Sequence, residues 1–414
     1  MNIWYISAYD QPKGISSRTY DFSKELVKRG HKVTMFTNSY CHWTRTEHLD
    51  IGEKWRIEDI EGIRVIWLRT IHYSGNNWGR GLNMLLNAMR IIQVANSLLK
   101  DKPDVIIGPS VPLLTGLVAA IISHIKGVAF VFEVRDVWPI ALVYDGGLSK
   151  RNPIYYIFRS MEKYLYRKSC RISATMPFIH QHVLESGGDP KKITWIPNGV
   201  DLERYSNFKE YSEEQNRPLI VMYVGGFGKA HDVITIIKSA KIIKDLENTN
   251  FRFILIGSGI KKADCQKYVL LNKLTNVEFW DPVMKSEVPR LQAEADILVA
   301  SVIASDSFRF GLNLNKLYDY LASGKPVIFS GKAPNDPVLE SGAGFSIPPE
   351  NPREMVEALF KIEKMSVQDR IEMGKRGRYF IENNFNICKL SDKMEYLLSQ
   401  AIKDIKNKNA FRRA

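Results

Sequence analysis

The chain has 414 residues, 45% hydrophobic and 25% charged, with a formal net charge of +13. That composition excludes a disordered or fibrous protein, and the length exceeds one ordinary core, so two domains of about 200 residues each are expected. The basic balance calls for an anionic partner, and charge alone leaves nucleic acid, anionic lipid and a phosphorylated substrate all open.

In chain order, Asn2 to Ala8 reads as a buried strand, Asp10 to Ser17 as a loop, Arg18 to Gly30 as an amphipathic helix closed by glycine, and His31 to Thr37 as a returning strand. Strand, helix and strand in about forty residues make a parallel unit with a right-handed crossover. Strands at Val105 to Ile107 and Ala129 to Glu133 follow, with helices around Leu113 to Lys126 and Asn152 to Ser169, and then strands at Ile172 to Ala174 and Thr194 to Ile196. Pro197 to Asp201 is a turn, and a polar stretch to Pro218 is a linker. A second series runs through Leu219 to Gly225, Phe251 to Gly257, Val277 to Trp280, Ile297 to Ala300, Pro326 to Phe329 and Gly344 to Ile347, with helices between. The fold expected is α/β: two doubly wound, Rossmann-like domains facing across a cleft, at 1–205 and 217–385, with a tail from Asn407 that frays.

No apolar run reaches the roughly 20 residues a spanning helix needs, and the amino terminus enters a strand without the charged start of a signal peptide, so a cytoplasmic protein is expected. Cys41, Cys170, Cys265 and Cys388 show no CxxC or CxxH spacing and read as core thiols. No RNP motif, zinc finger or basic heptad region appears, which argues against nucleic acid.

The most informative run is Leu312 to Ser330. It opens a helix with Lys316 and Asp319, closes it at Gly324 and launches a buried strand. A helix amino end with a lysine favours phosphate, and a carboxylate one turn on can accept two hydrogen bonds from a vicinal diol. Phosphate beside ribose describes a nucleotide. Ligands in such sheets bind beyond the carboxyl ends of strands, where Lys13-Gly14-Ile-Ser-Ser17 and Gly225-Gly226-Phe-Gly-Lys229 also lie. Glycines there allow close backbone approach, and Lys229 can neutralise a leaving diphosphate. Gly14 is open to a plainer reading as a tight turn, and Arg18 either assists it or is solvated. Gly257-Ser-Gly259 is a weak dinucleotide signal, and Glu294-Ala-Asp296 reads as a structural cap. Phe132 to Pro139 is a strand ending in a polar loop, where Asp136 either orients an attacking hydroxyl or shares an ion-paired loop with Arg135 and Glu133. The basic, aromatic helices Trp78 to Lys100 and Lys150 to Arg171 are candidates for a membrane surface, or for packing on the first sheet.

Asn315 to Ile328 resembles the donor-site helix of family-4 glycosyltransferases of GT-B architecture, in the subgroup reading NKLxEYLAxGKPVI found in bacterial O-antigen and capsule synthesis and similar to N-acetyl-fucosamine transferases. Asp319 takes the place of the second glutamate of the family pair, and the first falls on Gly311, so the donor-site residues implied are Gly14, Gly226, Lys229, Gly311, Lys316 and Asp319. Tyr223 to His231 resembles the family's YxGxxGKxxG element, with His231-Asp232 as a departure. The resemblance also implies that Asp281 to Met284 holds the base, that Arg135-Asp136 stands where relatives read His-Asp, and that a final helix, 386–406, crosses back to the first domain. With no Asp-x-Asp, a metal-independent mechanism without cofactor is implied, in which Lys229 and Lys316 meet the leaving group and Asp136 serves the acceptor. The expectation is a retaining hexosyltransferase moving a sugar, N-acetylated, from a UDP-sugar donor to a polyprenyl-diphosphate-linked glycan, peripheral at the inner face of the cytoplasmic membrane. A UDP-GlcNAc 2-epimerase-like enzyme and a non-catalytic UDP-sugar-binding scaffold are the alternatives.

Overall fold

A computed structural model describes residues 1–12, 18–41, 45–73, 78–98, 101–144, 146–206 and 217–413. The chain divides into two compact units, Met1–Pro197 with Ile387–Ala414, and Asn198–Asn386. The division falls at the Pro197 turn, so residues 198–206 belong with the second unit.

In the first unit the strands are β1 (Asn2–Ile6), β2 (Lys32–Asn38), β3 (Trp55–Ile60), β4 (Ile63–Leu68), β5 (Val105–Pro109), β6 (Ala129–Val134), β7 (Arg171–Ala174) and β8 (Ile193–Trp195). They form one sheet in the order β8-β7-β6-β5-β1-β2-β4-β3. All neighbours are parallel except the edge pair β3 and β4. That hairpin is absent from the expected elements. Its signal is the run Trp55 to Leu68 folded about Glu61-Gly62, two residues with φ of 55° and 79°, the geometry a two-residue hairpin turn requires. The central strands are buried on both faces, which is why they read as apolar runs rather than alternating ones.

Helix α1 (Arg18–Lys28) and the last helix of the chain (Ile387–Arg413) cover one face of this sheet. Ile387, Leu390, Met394, Leu397, Leu398 and Ala401 enter the same buried cluster as Ile3, Tyr5, Val105 and Val131. The helix continues beyond Asn407, where fraying was expected. On the other face lie α2 (Trp78–Ser97), α3 (Leu113–Lys126) and α4 (Pro153–Lys168), with α3 packed beside both of its neighbours. Asn152 caps α4 by accepting from the Ile154 amide, and proline follows at its first position.

The second unit repeats the plan with β9 (Leu219–Val224), β10 (Phe251–Ile256), β11 (Val277–Trp280), β12 (Ile297–Ser301), β13 (Val327–Ser330) and β14 (Gly344–Ile347), all parallel, in the order β11-β10-β9-β12-β13-β14. Each sheet has a switch point, between β1 and β5 and between β9 and β12, where consecutive strands depart to opposite sides and a crevice opens at the carboxyl ends. Glu294-Ala-Asp296 is structural, since the Asp296 carboxylate accepts from the Ile220 amide at 2.7 Å and pairs with Arg217. Among the described residues no helix is long and apolar enough to cross a membrane.

Truncating a buried residue of the last helix tests its part in the core. Met394→Ala should cost about 2–5 kcal/mol in denaturant unfolding, the range for emptying a well-packed methionine site, whereas an exposed neighbour such as Lys393→Ala should cost little.

Candidate functional site

At the second switch point β9 runs into Gly225-Gly226-Phe227-Gly228. This loop is latched to the next one: the Phe227 amide donates to Ser258 O at 2.8 Å and the Lys261 amide donates to Phe227 O at 2.9 Å. Gly257 and Gly259, at φ of 140° and 151°, make the latch possible, because a Cβ on either would fall 1.9 Å from Gly225 O or 2.5 Å from Phe227 O. The Gly-Ser-Gly turn therefore serves backbone packing.

The short helix Asn315–Ala322 points its first turn at that loop. Leu314 precedes it without a side-chain cap; the Leu317 amide donates to Leu314 O at 3.0 Å, and the Asn315 and Lys316 amides ahead of it begin the helix without an intrahelical acceptor. Asn198, from the Pro197 turn, holds this end: its amide donates to Asn313 Oδ1 at 3.1 Å and its side chain donates to Asn315 Oδ1 at 2.5 Å. Tyr320 ties the helix to β9, its hydroxyl accepting from the Val224 amide at 2.7 Å and donating to Val224 O at 3.1 Å.

Lys316 is thereby fixed over the glycine loop. Its Nζ donates to the Tyr223 hydroxyl at 2.7 Å and sits 4.5 Å from the centre of that ring, and Tyr223 donates onward to Gly226 O at 2.6 Å. A Cβ at Gly225 would lie 2.9 Å from Nζ and 3.1 Å from the Tyr223 hydroxyl, so a larger residue there would push the end of the lysine aside. Burial pushes the Lys316 amine down to about 7. Among the described residues no carboxylate pairs with this amine, so an incoming anion would supply a counter-charge.

His231 completes the cluster. Burial, then the Lys316 charge, pushes the imidazole down to about 4, so it is neutral at ordinary pH. Its Nδ1 accepts from the Gly228 amide at 3.4 Å, which leaves Nε2 to carry the proton. Asp232, next to it, stands at φ 41° and ψ 41°. The left-handed backbone explains why the family pattern has glycine here, and aspartate is among the residues that tolerate it.

The structure thus brings Gly226 and Lys316 together, and it places Lys229 and Asp319 in separate surroundings. Lys229 is exposed and lines a groove of about 330 Å³ with Asp232, Lys261, Asp264 and Glu350. Asp319 lines a small recess with Asp201, Arg204, Tyr205 and Lys285, which follows the Asp281 to Met284 loop. Burial, then the Asp319 carboxylate beside it, raises the Tyr205 phenol well above its ordinary value. Gly311 is buried with φ 113° and ψ 162°, a region essentially restricted to glycine. The first glutamate of the family pair could not occupy this backbone without strain. Gly14 lies outside the described residues.

In the first unit, the equivalent crevice holds a buried ion cluster. Glu133 is fully buried; Arg135 Nε donates to it at 2.7 Å, Arg18 Nε at 2.9 Å and the Tyr5 hydroxyl at 2.5 Å. Burial alone would raise this carboxyl; Arg135 and Arg18 outweigh burial and hold it below the usual range. Arg135 also donates to Asp10 and Thr19, each at 2.7 Å. Arg18 is buried rather than solvated, donating further to Ile196 O and Pro197 O at 2.9 and 2.7 Å. Arg135 therefore spends its donors on structure, and it cannot act as the base that a histidine could be. Asp136 stays exposed, on a turn in which Ser110 Oγ accepts from the Arg135 and Asp136 amides and donates to Asp136 O.

Sequence reasoning marked His231 only as a departure from the family pattern, and it did not single out Tyr223, Tyr205, Asp10 or Tyr5. Two signals were there: a tyrosine ending a buried strand just before glycines, and a glutamate inside the apolar run Ala129 to Val134, which has to find cationic partners.

The comparisons with known proteins agree with this geometry. Residues 13–199 match the glycosyl transferase 4-like domain, and residues 218–364 match glycosyl transferases group 1. Both halves belong to glycosyltransferase domain families. This glycosyltransferase is 21% identical over 317 residues to the probable glycosyltransferase WbjE of Pseudomonas aeruginosa, covering 74% of the chain and 77% of the relative. It is 24% identical over 338 residues to the Escherichia coli UDP-Gal:alpha-D-GlcNAc-diphosphoundecaprenol alpha-1,3-galactosyltransferase, covering 77% and 81%. Among solved structures it resembles sucrose-phosphate synthase from Thermosynechococcus elongatus, with a TM-score of 0.74 at 16% identity over 96% of the chain and 98% of that structure. The glycosyltransferase has the GT-B fold.

Two stability measurements test the site. Because the folded Lys316 value lies below the unfolded one, the unfolded chain binds more protons between about pH 7 and pH 10, and stability should rise with pH there. Lys316→Met should flatten that rise in thermal unfolding scans. Gly311→Glu should destabilise by about 1–3 kcal/mol through backbone strain rather than restore a second acidic group.

Proposed function

We propose that this glycosyltransferase transfers a sugar, with retention, from a UDP-sugar to a glycan carried on a polyprenyl diphosphate during O-antigen or capsule synthesis. The observation that carries the donor half is the Lys316 ammonium, half-buried and with no carboxylate paired to it among the described residues, beside glycine backbone and the uncapped start of a helix. An anion docking there gains a full positive charge, helix N–H groups and close backbone approach together. A diphosphate fits that set. Asp319, three residues on, would then reach the ribose, and Lys229 would supply a second cation from its groove as negative charge grows on the leaving group. The arrangement calls on no metal ion, since lysine and helix amides do the neutralising.

The acceptor half rests on the Escherichia coli relative, whose name specifies a UDP-sugar donor and a diphosphoundecaprenol-linked acceptor. An N-acetylated hexosamine or deoxyhexosamine is the donor sugar favoured by the NKLxDYLAxGKPVI run. Asp136, exposed on its fixed turn, would orient the attacking hydroxyl, and the departing phosphate would take its proton, so retention needs no protein nucleophile. A lipid-linked acceptor places the enzyme at the inner face of the membrane. The exposed stripe Trp78, Leu82, Leu85, Met89 and Ile92 on α2, at spacings of three and four residues, supports that placement.

Lys316→Ala and Asp319→Asn should each weaken UDP binding by tenfold or more in calorimetry, about 1.4 kcal/mol, with unchanged circular dichroism. Binding as tight as the parent's in both variants would refute the donor site. Turnover of a UDP-sugar with a polyprenyl-diphosphate acceptor separates a transferase from a scaffold, which would bind UDP without turnover, and from an epimerase, which would release a sugar without acceptor.

A further inference from the structure

We infer that the first unit carries a built site for the phosphate of an anionic phospholipid, formed by α4 and the last helix. This deepens the membrane placement proposed above, and rests on it. Ser160, Lys163, Tyr164, Arg167, Lys168 and Lys408 line a surface cavity of about 550 Å³. Four of the six are cationic, and no carboxylate lines the cavity. Among the described residues none of the four cations has a salt-bridge partner, although the chain forms ion pairs widely elsewhere. Lys168 Nζ instead lies 5.7 Å from the centre of the Tyr164 ring, an arrangement that holds the cation at the cavity without discharging it.

The rest of α4 says what kind of anion is brought there. Ser160, Lys163, Tyr164 and Arg167 are spaced at three and four residues, so they share one face of the helix. Continued towards the amino end by the same spacing, that face reaches Tyr156 and Ile157, 61% and 53% exposed, with Ile154 at 48% nearby. Only Glu162, Leu165 and Tyr166 of this sixteen-residue helix are buried. Large apolar side chains in water, followed on the same face by an unpaired basic cavity, match a bilayer surface: acyl chains accept Ile157 and Tyr156 while a phosphodiester enters the ring of lysines and arginine. A soluble phosphate ester would satisfy the cavity and leave the apolar residues unexplained. α3, packed beside α4, adds the exposed Ile121 and Ile125, so the face extends across the helical layer towards α2.

The test is flotation of the full-length protein with vesicles of phosphatidylcholine alone and with 30% phosphatidylglycerol, at several salt concentrations. Binding should require the anionic lipid and weaken with salt. Each basic residue near an anionic surface contributes roughly fivefold, so Lys163→Gln with Lys408→Gln should lose roughly 25-fold in vesicle affinity. A control pair in the second unit, Lys238→Gln with Lys361→Gln, removes the same charge and should lose no more than about twofold. UDP binding by calorimetry should be unchanged in both pairs, so a failed donor assignment is seen separately from a failed lipid site. The inference is overturned if neutral vesicles bind as well, if the two pairs lose affinity equally, if the Lys163/Lys408 pair binds as the parent does, or if soluble glycerol phosphate displaces the vesicles at millimolar concentration.

Discussion

Nearly everything in the second unit that bears on function depends on one contact, the Lys316 ammonium held against the Tyr223 hydroxyl over a glycine backbone. Burying a cation without a carboxylate is costly, and the amine answers by dropping towards neutrality. The surroundings are organised around that cost. Tyr320 fixes the helix that carries the lysine, Asn198 fixes its amino end, and Gly257 and Gly259 let the neighbouring loop support the glycine turn from behind. His231 stays neutral partly because a second charge beside Lys316 would be unfavourable. A site that is costly when empty is one that an anion stabilises on binding.

The first unit solves the opposite problem. Its crevice contains two buried carboxylates, Asp10 and Glu133, and two arginines that satisfy them. The cluster joins the ends of β1, β6 and β8, because Arg18 also ties to the carbonyls of Ile196 and Pro197. Such a closed network rigidifies a loop rather than offering charge to a ligand. It leaves exposed Asp136 as the group presented to solvent, whereas in the second unit the presented group is a cation.

Much of the fold was legible because parallel strands buried on both faces appear as apolar runs, and Gly30, Gly324 and Pro197 mark where elements stop. The edge hairpin at Trp55 to Leu68 was missed because its outer strand is polar and exposed, so it lacked an apolar run. The last helix runs past its expected end because exposed Lys and Asn residues are no obstacle to a helix whose earlier turns are anchored in the core. At the site, Lys316 was visible from the helix start. Its partner Tyr223 was not, since a tyrosine at the end of a buried strand looks like core. Gly311 read as a missing glutamate, and only backbone angles show that the position excludes one. Lys229 and Asp319 carried chemistry in the sequence, but which groove each lines depends on side-chain direction, which spacing does not encode.

The most direct measurement is of the Lys316 amine itself, by NMR of protein labelled at lysine Cε, titrated with and without UDP and assigned with Lys316→Arg. The account predicts a free-enzyme value near 7 that rises by more than one unit when UDP binds, because a diphosphate supplies the missing counter-charge. A Lys316 resonance that titrates near the ordinary lysine value of about 10.4, and is unmoved by saturating UDP, would contradict it.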